Sequence, residues 1–299
     1  MNYKKQVDDL IDYAELNEII KILKVSDQNI FFVGGATRSI LSKEYTNTDI
    51  DIVVPNIEDD VIEELNFQYD VKFFPSYRSL AISIGNFEYQ INSFRKDVKS
   101  TGRHSKVAPA QTLKEDSERR DFTFNSVYIN LEGEVFDFYS GVKDFYENHL
   151  RFIFNPIDQI QQDYLRALRY IRFLSLFKNT KTRNEDIDAI LLLSKNIFDF
   201  VKEKKISQEL KKIKDMPFSL NSLNFLKKHK ELKEQIKKEL AELNIRLKKQ
   251  EDLPQRTHIV IREIPKPVDL TKQYGDNKTI EWSWLEFFIG MLEGLRKET

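Results

Sequence analysis

The amino-acid sequence predicts an α+β fold, in which a mixed head over residues 1–150 is followed by a helical remainder. After Pro156 the apolar residues recur at helical spacing, and this pattern continues to about residue 250. The chain has 299 residues, of which 40% are hydrophobic, so it is long enough to bury a sizeable core. Short strand-like apolar runs recur through the first half, at residues 29–33, 49–54, 71–74, 80–84 and 87–94.

Other elements follow from local patterns along the chain. Helical spacing predicts an amphipathic helix over residues 3–24. The polar stretch 97–117 predicts a mobile loop, and residues 122–130 and 134–138 predict a hairpin. In the second half we expect one long helix over 158–178, a strand over 258–262 and a last helix over 283–296.

Composition excludes several classes of protein. The chain has no cysteine, which excludes disulfides, thiolate metal sites and cysteine nucleophiles, and fits a reducing cytoplasm. It has no run of 18 apolar residues, and its acidic, amphipathic N-terminus lacks the apolar stretch of a secretory signal. We therefore expect a cytoplasmic protein that does not associate with membranes.

Charge is distributed unevenly. The net charge of −1 argues against strong nucleic-acid binding by the whole chain. Between residues 202 and 250, however, 15 Lys and Arg stand against 7 Asp and Glu. This segment is either a solvated helical face or a surface that follows phosphates.

A carboxylate pair lies on the strand predicted over 49–54. Residues i and i+2 of a strand point to one face, so Asp49 and Asp51 project side by side while Ile50 and Ile52 face the core. Two adjacent carboxylates repel each other unless a cation neutralises them, and hard oxygen ligands favour Mg²⁺. Two such ions about 3.5–4 Å apart can activate a hydroxyl and stabilise a leaving pyrophosphate. A solvated strand edge is the alternative interpretation.

Gly34 and Gly35 lie between a strand and a predicted helix through Ile40 and Leu41. Glycines let backbone N–H groups approach a phosphate closely, and a helix N-terminus favours negative charge. Arg38 is near enough in sequence to reach the same phosphates. An ordinary turn is the alternative when the glycine pair is taken alone.

Two further groups of polar residues are candidates for binding. Arg119 and Arg120 precede a strand, and two guanidiniums there favour an anionic partner such as a triphosphate over a simple basic surface pair. Asp121 and Asn125 are candidates to hold these arginines or to contact ribose. A polar stripe on the helix predicted over 158–178 consists of Asp163, Arg166, Arg169 and Arg172. Taken alone, this stripe favours an exposed helix with salt bridges along it.

In this order, the motifs resemble those of class II tRNA nucleotidyltransferases and bacterial poly(A) polymerases, in the polymerase-β superfamily. The resemblance covers residues 29–215, with a fainter match at Glu203 to Leu210. The matching stretches are GGxxR and DxD at 34–51, RRDFTFN at 119–125, a D–G–D segment at 137–144, and QDYLRALRYIRF, similar to EDxxRxxRxxRF, at 162–173.

The resemblance implies a head with a small mixed sheet at 1–150 and a helical neck at 151–215. Residues 216–299 lie outside the resemblance, and we expect them to form a helical body and tail that binds RNA. The resemblance also implies an enzyme that adds nucleotides from CTP and ATP to the 3′ end of tRNA with two Mg²⁺ ions, or Mn²⁺, on Asp49 and Asp51. Asp163 and Arg166 would read the incoming base in place of a template, and no protein partner is implied. The implied nucleotide-binding residues are Gly34, Gly35, Arg38, Arg119, Arg120, Asp121, Asn125, Asp163, Arg166, Arg169 and Arg172.

The sequence departs from the family pattern at three positions. Ser39 and Gln162 stand where the family usually has carboxylates. A frequent third carboxylate falls at Gln90, with Glu88 on the same strand face as a substitute. These departures bear on specificity and rate more than on the class of reaction.

Three other functions compete with CCA addition. A poly(A) polymerase, or an enzyme that adds only CC or only A, would share the same motifs. A non-catalytic RNA-binding protein is opposed by the intact Asp49, Asp51 and RRD sequence. A phosphohydrolase finds no support, because the four histidines lack ligand spacing.

Overall fold

The computed structural model describes residues 2–45, 48–101 and 104–238. The expected α+β fold is confirmed, with a mixed sheet and helices in the head. The elements of the head are α1 (Lys4–Tyr13), α2 (Asn17–Ile22), β1 (Phe31–Val33), α3 (Gly35–Ser42), β2 (Asp49–Val54), α4 (Asp59–Gln68), β3 (Val71–Phe74), β4 (Ser79–Ile84), β5 (Phe87–Ser93), β6 (Arg95–Thr101), β7 (His104–Pro109), α5 (Leu113–Glu118), β8 (Tyr128–Asn130), β9 (Val135–Phe136), α6 (Gly141–Tyr146) and β10 (His149–Leu150).

The second half is mainly helical within the described ranges. A two-residue strand, β11, pairs in parallel with β10 and so joins the two halves. Residues 230–238 are also helical. The named elements are α7 (Pro156–Gln162), α8 (Leu165–Phe173), β11 (Lys181–Thr182), α9 (Asn184–Leu192), α10 (Ser194–Phe200), α11 (Glu203–Lys214) and α12 (Leu220–Lys228).

Seven strands form the main sheet of the head, in the order β3-β4-β5-β2-β1-β8-β9. The pair β2 and β5 is parallel, and the other neighbours in this sheet are antiparallel. Alternation separates two faces: Ile50 and Ile52 enter the large core, while Val33 and Val53 enter a small cluster on the opposite face. Asp49 and Asp51 share the face of this small cluster, which positions the carboxylate pair outside the large core.

The helix predicted over 3–24 is wrong as a single element, because α1 and α2 are separated at residues 14–16. Glu15 adopts a positive φ of 52° and ends the first helix. Ala14 and Leu16 are both fully buried. A continuous helix would place these two side chains about 200° apart around its axis, so the break allows both to reach the core.

The predicted mobile loop over 97–117 is wrong. Strands β6 and β7 pair antiparallel there, and α5 follows. Polar residues can form such a ladder because its hydrogen bonds join backbone groups. The helix carried a recognisable signal, because Thr112 and Glu115 have capping-box spacing and Thr112 Oγ1 accepts from the Glu115 N–H at 3.2 Å.

The long helix predicted over 158–178 is also wrong, because the chain is extended at Asp163 between α7 and α8. Asp163 Oδ1 accepts from the Leu165 N–H at 3.0 Å, the local side-chain bond that favours helix starts over helix interiors. Asp163 therefore lies at a junction, and the stripe that α8 carries consists of Arg166, Arg169 and Arg172.

Other predictions differ only in their bounds or fall elsewhere. The predicted hairpin over 122–138 is reduced to β8 and β9, with a short 3-10 helix over Thr123–Asn125 before it. The strand predicted over 258–262, the helix over 283–296 and part of the basic segment lie outside the described residues. Across the described ranges, no helix is both long and apolar enough to cross a membrane. The boundaries at 150 and 215 stay predictions.

Candidate active site

One cleft of about 810 Å³ brings together all thirteen residues singled out from the sequence. Among the described residues, seven arginines and one lysine line it together with six aspartates. The predicted residues that line it are Gly34, Gly35, Arg38, Asp49, Asp51, Arg119, Arg120, Asp121, Asn125, Asp163, Arg166, Arg169 and Arg172. The other lining residues are Thr48, Tyr77, Gln90, Arg95, Asp97, Val107, Phe173, Lys212, Asp215 and Met216.

The carboxylate pair lies on strand β2, on what we call the sheet wall of the cleft (Asp49, Asp51 and Gln90). Asp49 is exposed and Asp51 is half-buried, while Ile50 between them is fully buried. Burial raises the pKa of Asp51, and the negative charge of Asp49 raises it further, while Arg120, Arg38 and Arg169 act in the opposite direction. The pair is therefore held where a bound cation would relieve its repulsion.

Gly34 brings the start of α3 against this pair. Its φ is +61°, and a Cβ on this residue would lie 3.1 Å from Asp51 Oδ2. Glycine meets both demands, because it tolerates positive φ and has no side chain to crowd the carboxylate. The N-terminus of α3 thereby opens next to Asp51.

In the β2–β5 register Gln90 stands opposite Asp51, and Glu88 stands opposite Asp49. Gln90 lines the cleft, whereas the Glu88 carboxylate accepts a hydrogen bond of 2.7 Å from Ser83. Within the described ranges no group of three or more His, Cys, Asp or Glu is placed to hold a metal ion. The carboxylates of β2 are a pair of oxygen donors on one strand face that this cleft offers to a cation.

Arg38 reaches across the cleft from α3. Its Nη1 donates to Asn125 Oδ1, and its guanidinium lies 5.0 Å from the centre of the Phe173 ring. Burial and the nearby Arg172 lower the pKa of Arg38 to about 10, so it stays charged at neutral pH. Ser39, which stands where the family has a carboxylate, is itself buried, and Asn125 orients Arg38 in this chain.

Asp121 connects the RRD sequence to α8. Its Oδ1 accepts from Asn125 Nδ2 at 2.9 Å and from the Phe122 N–H at 2.8 Å, and its Oδ2 lies 3.3 Å from Arg169 Nη1. Burial opposes ionisation, but Arg169 and these hydrogen bonds outweigh it and lower the pKa of Asp121. Asp121 and Asn125 therefore hold arginines, one of the two alternatives considered from the sequence.

The helical wall of the cleft consists of Asp163, Arg166, Arg169 and Arg172. Arg166 is buried, and its Nη1 donates to Gln159 and, at 3.1 Å, to Gln162 Oε1. Its Nη2 donates to the Arg119 carbonyl at 2.5 Å. Gln162 stands where the family usually has Glu. Its amide oxygen accepts a hydrogen bond from Arg166, as a carboxylate oxygen would, but it carries no negative charge.

Glu209 on α11 braces this wall from behind. Glu209 Oε2 lies 2.9 Å from Arg172 Nε, and Oε1 lies 4.0 Å from Arg169 Nε. Glu209 is buried, and the Arg172 guanidinium also lies 4.3 Å from the centre of the Phe173 ring. The faint match at 203–210 therefore marks a helix that holds two arginines of the cleft.

The D–G–D segment contributes support. Asp137 accepts from the Gly141 and Val142 N–H groups at 2.8 and 3.0 Å, and so caps α6. A Cβ on Gly141 would lie 2.1 Å from the Thr123 carbonyl oxygen. Asp144 accepts from Thr123 Oγ1 at 2.6 Å. These residues pack under the 123–125 turn instead of lining the cleft.

Asp116 is a residue of the site that was not predicted from the sequence. It is fully buried on α5, and Arg119 Nε and Arg120 Nη2 donate to it at 3.0 and 3.2 Å. Tyr128 and the Arg95 N–H donate to it as well. The signal that could have revealed it is the spacing of three and four residues to Arg119 and Arg120, once the capping box places a helix there.

Comparison with known proteins finds a family that is similar to the head of this chain. Residues 30–151 match the family described as the Poly A polymerase head domain. The match spans most of the head and none of the chain after residue 151. The resemblance to class II tRNA nucleotidyltransferases and bacterial poly(A) polymerases is thereby confirmed.

Similar curated proteins are CCA-adding enzymes. The CCA-adding enzyme of Bacillus subtilis (strain 168) is 33% identical over 159 residues, which cover 52% of this chain and 39% of that enzyme. The human mitochondrial CCA tRNA nucleotidyltransferase 1 is 26% identical over 203 residues, which cover 66% and 46%. The chain therefore spans about half the length of these relatives or less.

Solved structures share the fold. The Thermotoga maritima CCA-adding enzyme complexed with tRNA has a TM-score of 0.62 at 22% identity, over 80% of this chain and 55% of that enzyme. The Bacillus stearothermophilus CCA-adding enzyme in complex with CTP has a TM-score of 0.59 at 22% identity, over 71% and 52%. The head domain and part of the helical remainder thus follow a known architecture.

Proposed function

We propose that this protein adds CMP and AMP from CTP and ATP to the 3′ end of tRNA without a nucleic-acid template. The observation that carries the proposal is a cleft that is lined both by the carboxylate pair of β2 and by the arginines of α8 and the RRD sequence. The arginines suit a triphosphate, and the carboxylates suit the cation that accompanies it. The names of the similar proteins supply the RNA substrate.

The arginines and the α3 N-terminus would bind the triphosphate. Backbone N–H groups at Gly34 and Gly35 offer donors next to Asp51, and Arg38 and Arg120 add fixed positive charge. Their positive charge would offset the charge that develops on the leaving pyrophosphate as the RNA 3′-hydroxyl attacks the α-phosphorus. Most of the rate enhancement would come from this positioning, because phosphoryl transfer asks little covalent chemistry of the protein.

Asp49 and Asp51 would hold Mg²⁺, with Mn²⁺ as an alternative ion. They fit the ion because they are adjacent oxygen donors, and the pKa of Asp51 is raised by burial and by the charge of Asp49. When bound, divalent ions supply charge that favours the attacking alkoxide and the departing pyrophosphate. With Gln90 beside Asp51, the two carboxylates would bind the metal without a third.

Base selection would use Asp163 and Arg166. Oδ1 of Asp163 is engaged by the Leu165 N–H, and Oδ2 of the same carboxylate would accept from the exocyclic amine of cytosine or adenine. The hydrogen bonds from Arg166 to Gln159, Gln162 and the Arg119 carbonyl fix the position of its guanidinium. A guanidinium held in this way loses less entropy when it binds a base than a mobile one would.

The deciding experiment offers labelled CTP and ATP, singly and together, to three RNA acceptors. These are tRNA lacking CCA, tRNA ending in CC, and unstructured oligo(A). We expect two C residues and one A on the first acceptor, one A on the second, and no extension of oligo(A). Long A tails on all three would show a poly(A) polymerase instead, and no incorporation on any acceptor would overturn the proposal.

A further inference from the structure

Asp116 places a carboxylate in the interior of the head. Its side chain is fully buried, although an isolated buried carboxylate costs several kcal/mol. Five hydrogen-bonding or ionic contacts surround it: Arg119 Nε and Nη2 at 3.0 Å, Arg120 Nη2 at 3.2 Å, Tyr128 Oη at 2.6 Å and the Arg95 N–H at 3.1 Å. These contacts stabilise the ionised form of the Asp116 carboxylate inside the protein.

The charge on Asp116 is held firmly. Burial alone would raise its pKa, but the positive charges of Arg119 and Arg120, with the hydrogen bond from Tyr128, outweigh burial and lower the pKa to about 2. Asp116 is therefore an anion at all physiological pH values. It acts as a permanent counter-ion beneath two arginines whose side chains are only about one-seventh exposed, at 15% and 14%.

Arg120 is oriented from three sides. Its Nη2 donates to Asp116, its Nε donates to Tyr128 Oη at 2.7 Å, and its guanidinium lies 5.0 Å from the centre of the Tyr128 ring. Arg120 also lines the cleft together with Asp51, and its positive charge lowers the pKa of Asp51. The guanidinium is thus held between the buried anion and the carboxylate pair, where the polyphosphate of a nucleotide would lie.

Arg119 is held through both its side chain and its backbone. Asp116 holds its guanidinium, and Arg166 Nη2 donates to its backbone carbonyl. The same Asp116 carboxylate accepts from the backbone of Arg95, the first residue of β6. One buried anion therefore joins the arginine pair, the start of the β6–β7 hairpin and, through Arg119, the helical wall.

We propose that Asp116 is a positioning residue that holds Arg119 and Arg120 in the orientation that binds the polyphosphate of the incoming nucleotide. This inference rests on the nucleotide-binding role of the cleft in the proposed function. Without the anion the two arginines would repel each other and lose their common anchor. The loss would affect the polyphosphate, because in the proposed function the base is read by Asp163, at the junction of α7 and α8, and by Arg166 on α8.

The test measures binding of the polyphosphate part and of the nucleoside part of the nucleotide separately. The wild-type chain and the Asp116→Asn variant are titrated with inorganic tripolyphosphate, without added divalent cations, and separately with cytidine. Asp186→Asn is the matched control, because Asp186 is another fully buried carboxylate that pairs with an arginine, Arg183 at 2.6 Å, away from the cleft lining. Where the variants transfer nucleotides, the KM values for CTP and for RNA are measured as well.

Asp116→Asn should weaken tripolyphosphate binding about tenfold, which corresponds to about 1.4 kcal/mol, and should raise the KM for CTP. Cytidine affinity and the KM for RNA should stay within about twofold of wild type, and Asp186→Asn should change none of these values. Unchanged tripolyphosphate affinity, or an equal loss for cytidine, would overturn the proposal. So would an equal loss of tripolyphosphate binding in the Asp186 control.

A second variant keeps the test decisive if Asp116→Asn does not fold. Tyr128→Phe retains the ring beneath Arg120 but removes the hydroxyl that bridges Arg120 and Asp116. It should weaken tripolyphosphate binding about threefold, the change expected for one partly compensated hydrogen bond, and leave cytidine binding unchanged. Because tripolyphosphate binding needs no RNA, failure of RNA extension would overturn the proposed function alone.

Discussion

The sheet wall and the helical wall of the cleft are built in different ways. On β2 the backbone itself places Asp49 and Asp51 on one face, because a strand alternates its side chains. On the helical wall Arg169 and Arg172 are held by carboxylates far away in sequence, Asp121 and Glu209. The difference teaches that a short motif can define a carboxylate pair, whereas long flexible arginines need a surrounding set of counter-ions to become a site.

The largest effect is expected from the sheet wall itself. Asp51→Asn should lower nucleotide transfer by about a thousandfold or more, because metal-assisted charge stabilisation contributes several kcal/mol to the transition state. RNA affinity should stay within about threefold, since the amide preserves the shape of the side chain. Single-turnover transfer and an RNA-binding titration measure the two, with exposed Asp12→Asn as the control. Retained transfer would show that the carboxylate pair is not the catalytic feature of this wall.

The second effect concerns acid stability of the arginine network. The pKa of Asp116 is depressed to about 2 from an ordinary 3.8, so its stabilising contribution is present above about pH 4 and is lost as the pH falls towards 2. The difference in unfolding free energy between wild type and Asp116→Asn should therefore shrink by about 2 kcal/mol between pH 5 and pH 2. Denaturant unfolding across this range measures it, and a constant difference would contradict the assignment of charge.

A third prediction separates backbone strain from contact at the sheet wall. Gly34 and Gly85 both have positive φ, +61° and +58°, but only a Cβ at Gly34 would approach a carboxylate, Asp51. Alanine at either position should lower stability by about 1–3 kcal/mol through strain. Gly34→Ala should in addition slow transfer about tenfold by displacing Asp51, while Gly85→Ala should not. Thermal unfolding and transfer rates measure both effects, and equal transfer rates for the two variants would remove Gly34 from the site.

The smallest effect is expected behind the helical wall. Glu209→Gln keeps the shape of the side chain but removes the charge that faces Arg169 and Arg172, and should cost about 1–2 kcal/mol of stability and reduce CTP/ATP discrimination. Glu18→Gln breaks an exposed ion pair with Lys21 and should cost less than about 0.5 kcal/mol. Chemical unfolding and competition between CTP and ATP measure these differences. Equal stability losses for the two variants would mean that burial of the Glu209 pair does not matter.

Elements with strong local periodicity were predicted well. Strand β2 has its predicted bounds, and β3, β4 and β5 lie within a residue of theirs. The hairpin of β6 and β7 was missed, because its polar residues carry no alternation of apolar side chains. The break at Asp163 was missed, because Asp163 and the three arginines that follow it keep the three-residue spacing of a helix. The structure nevertheless interrupts the helix at Asp163, between α7 and α8.

By itself the sequence determined the α+β class, the side of β2 on which Asp49 and Asp51 lie, and the thirteen residues that meet in the cleft. These follow from backbone periodicity and from motifs, which are properties of neighbouring residues. Only the tertiary structure decided which distant counter-ion holds which arginine: Asp121 beside Arg169, and Glu209 behind Arg172. The physical reason is that a charge buried among side chains is stabilised by whatever surrounds it in space, and the folded chain alone assembles those surroundings.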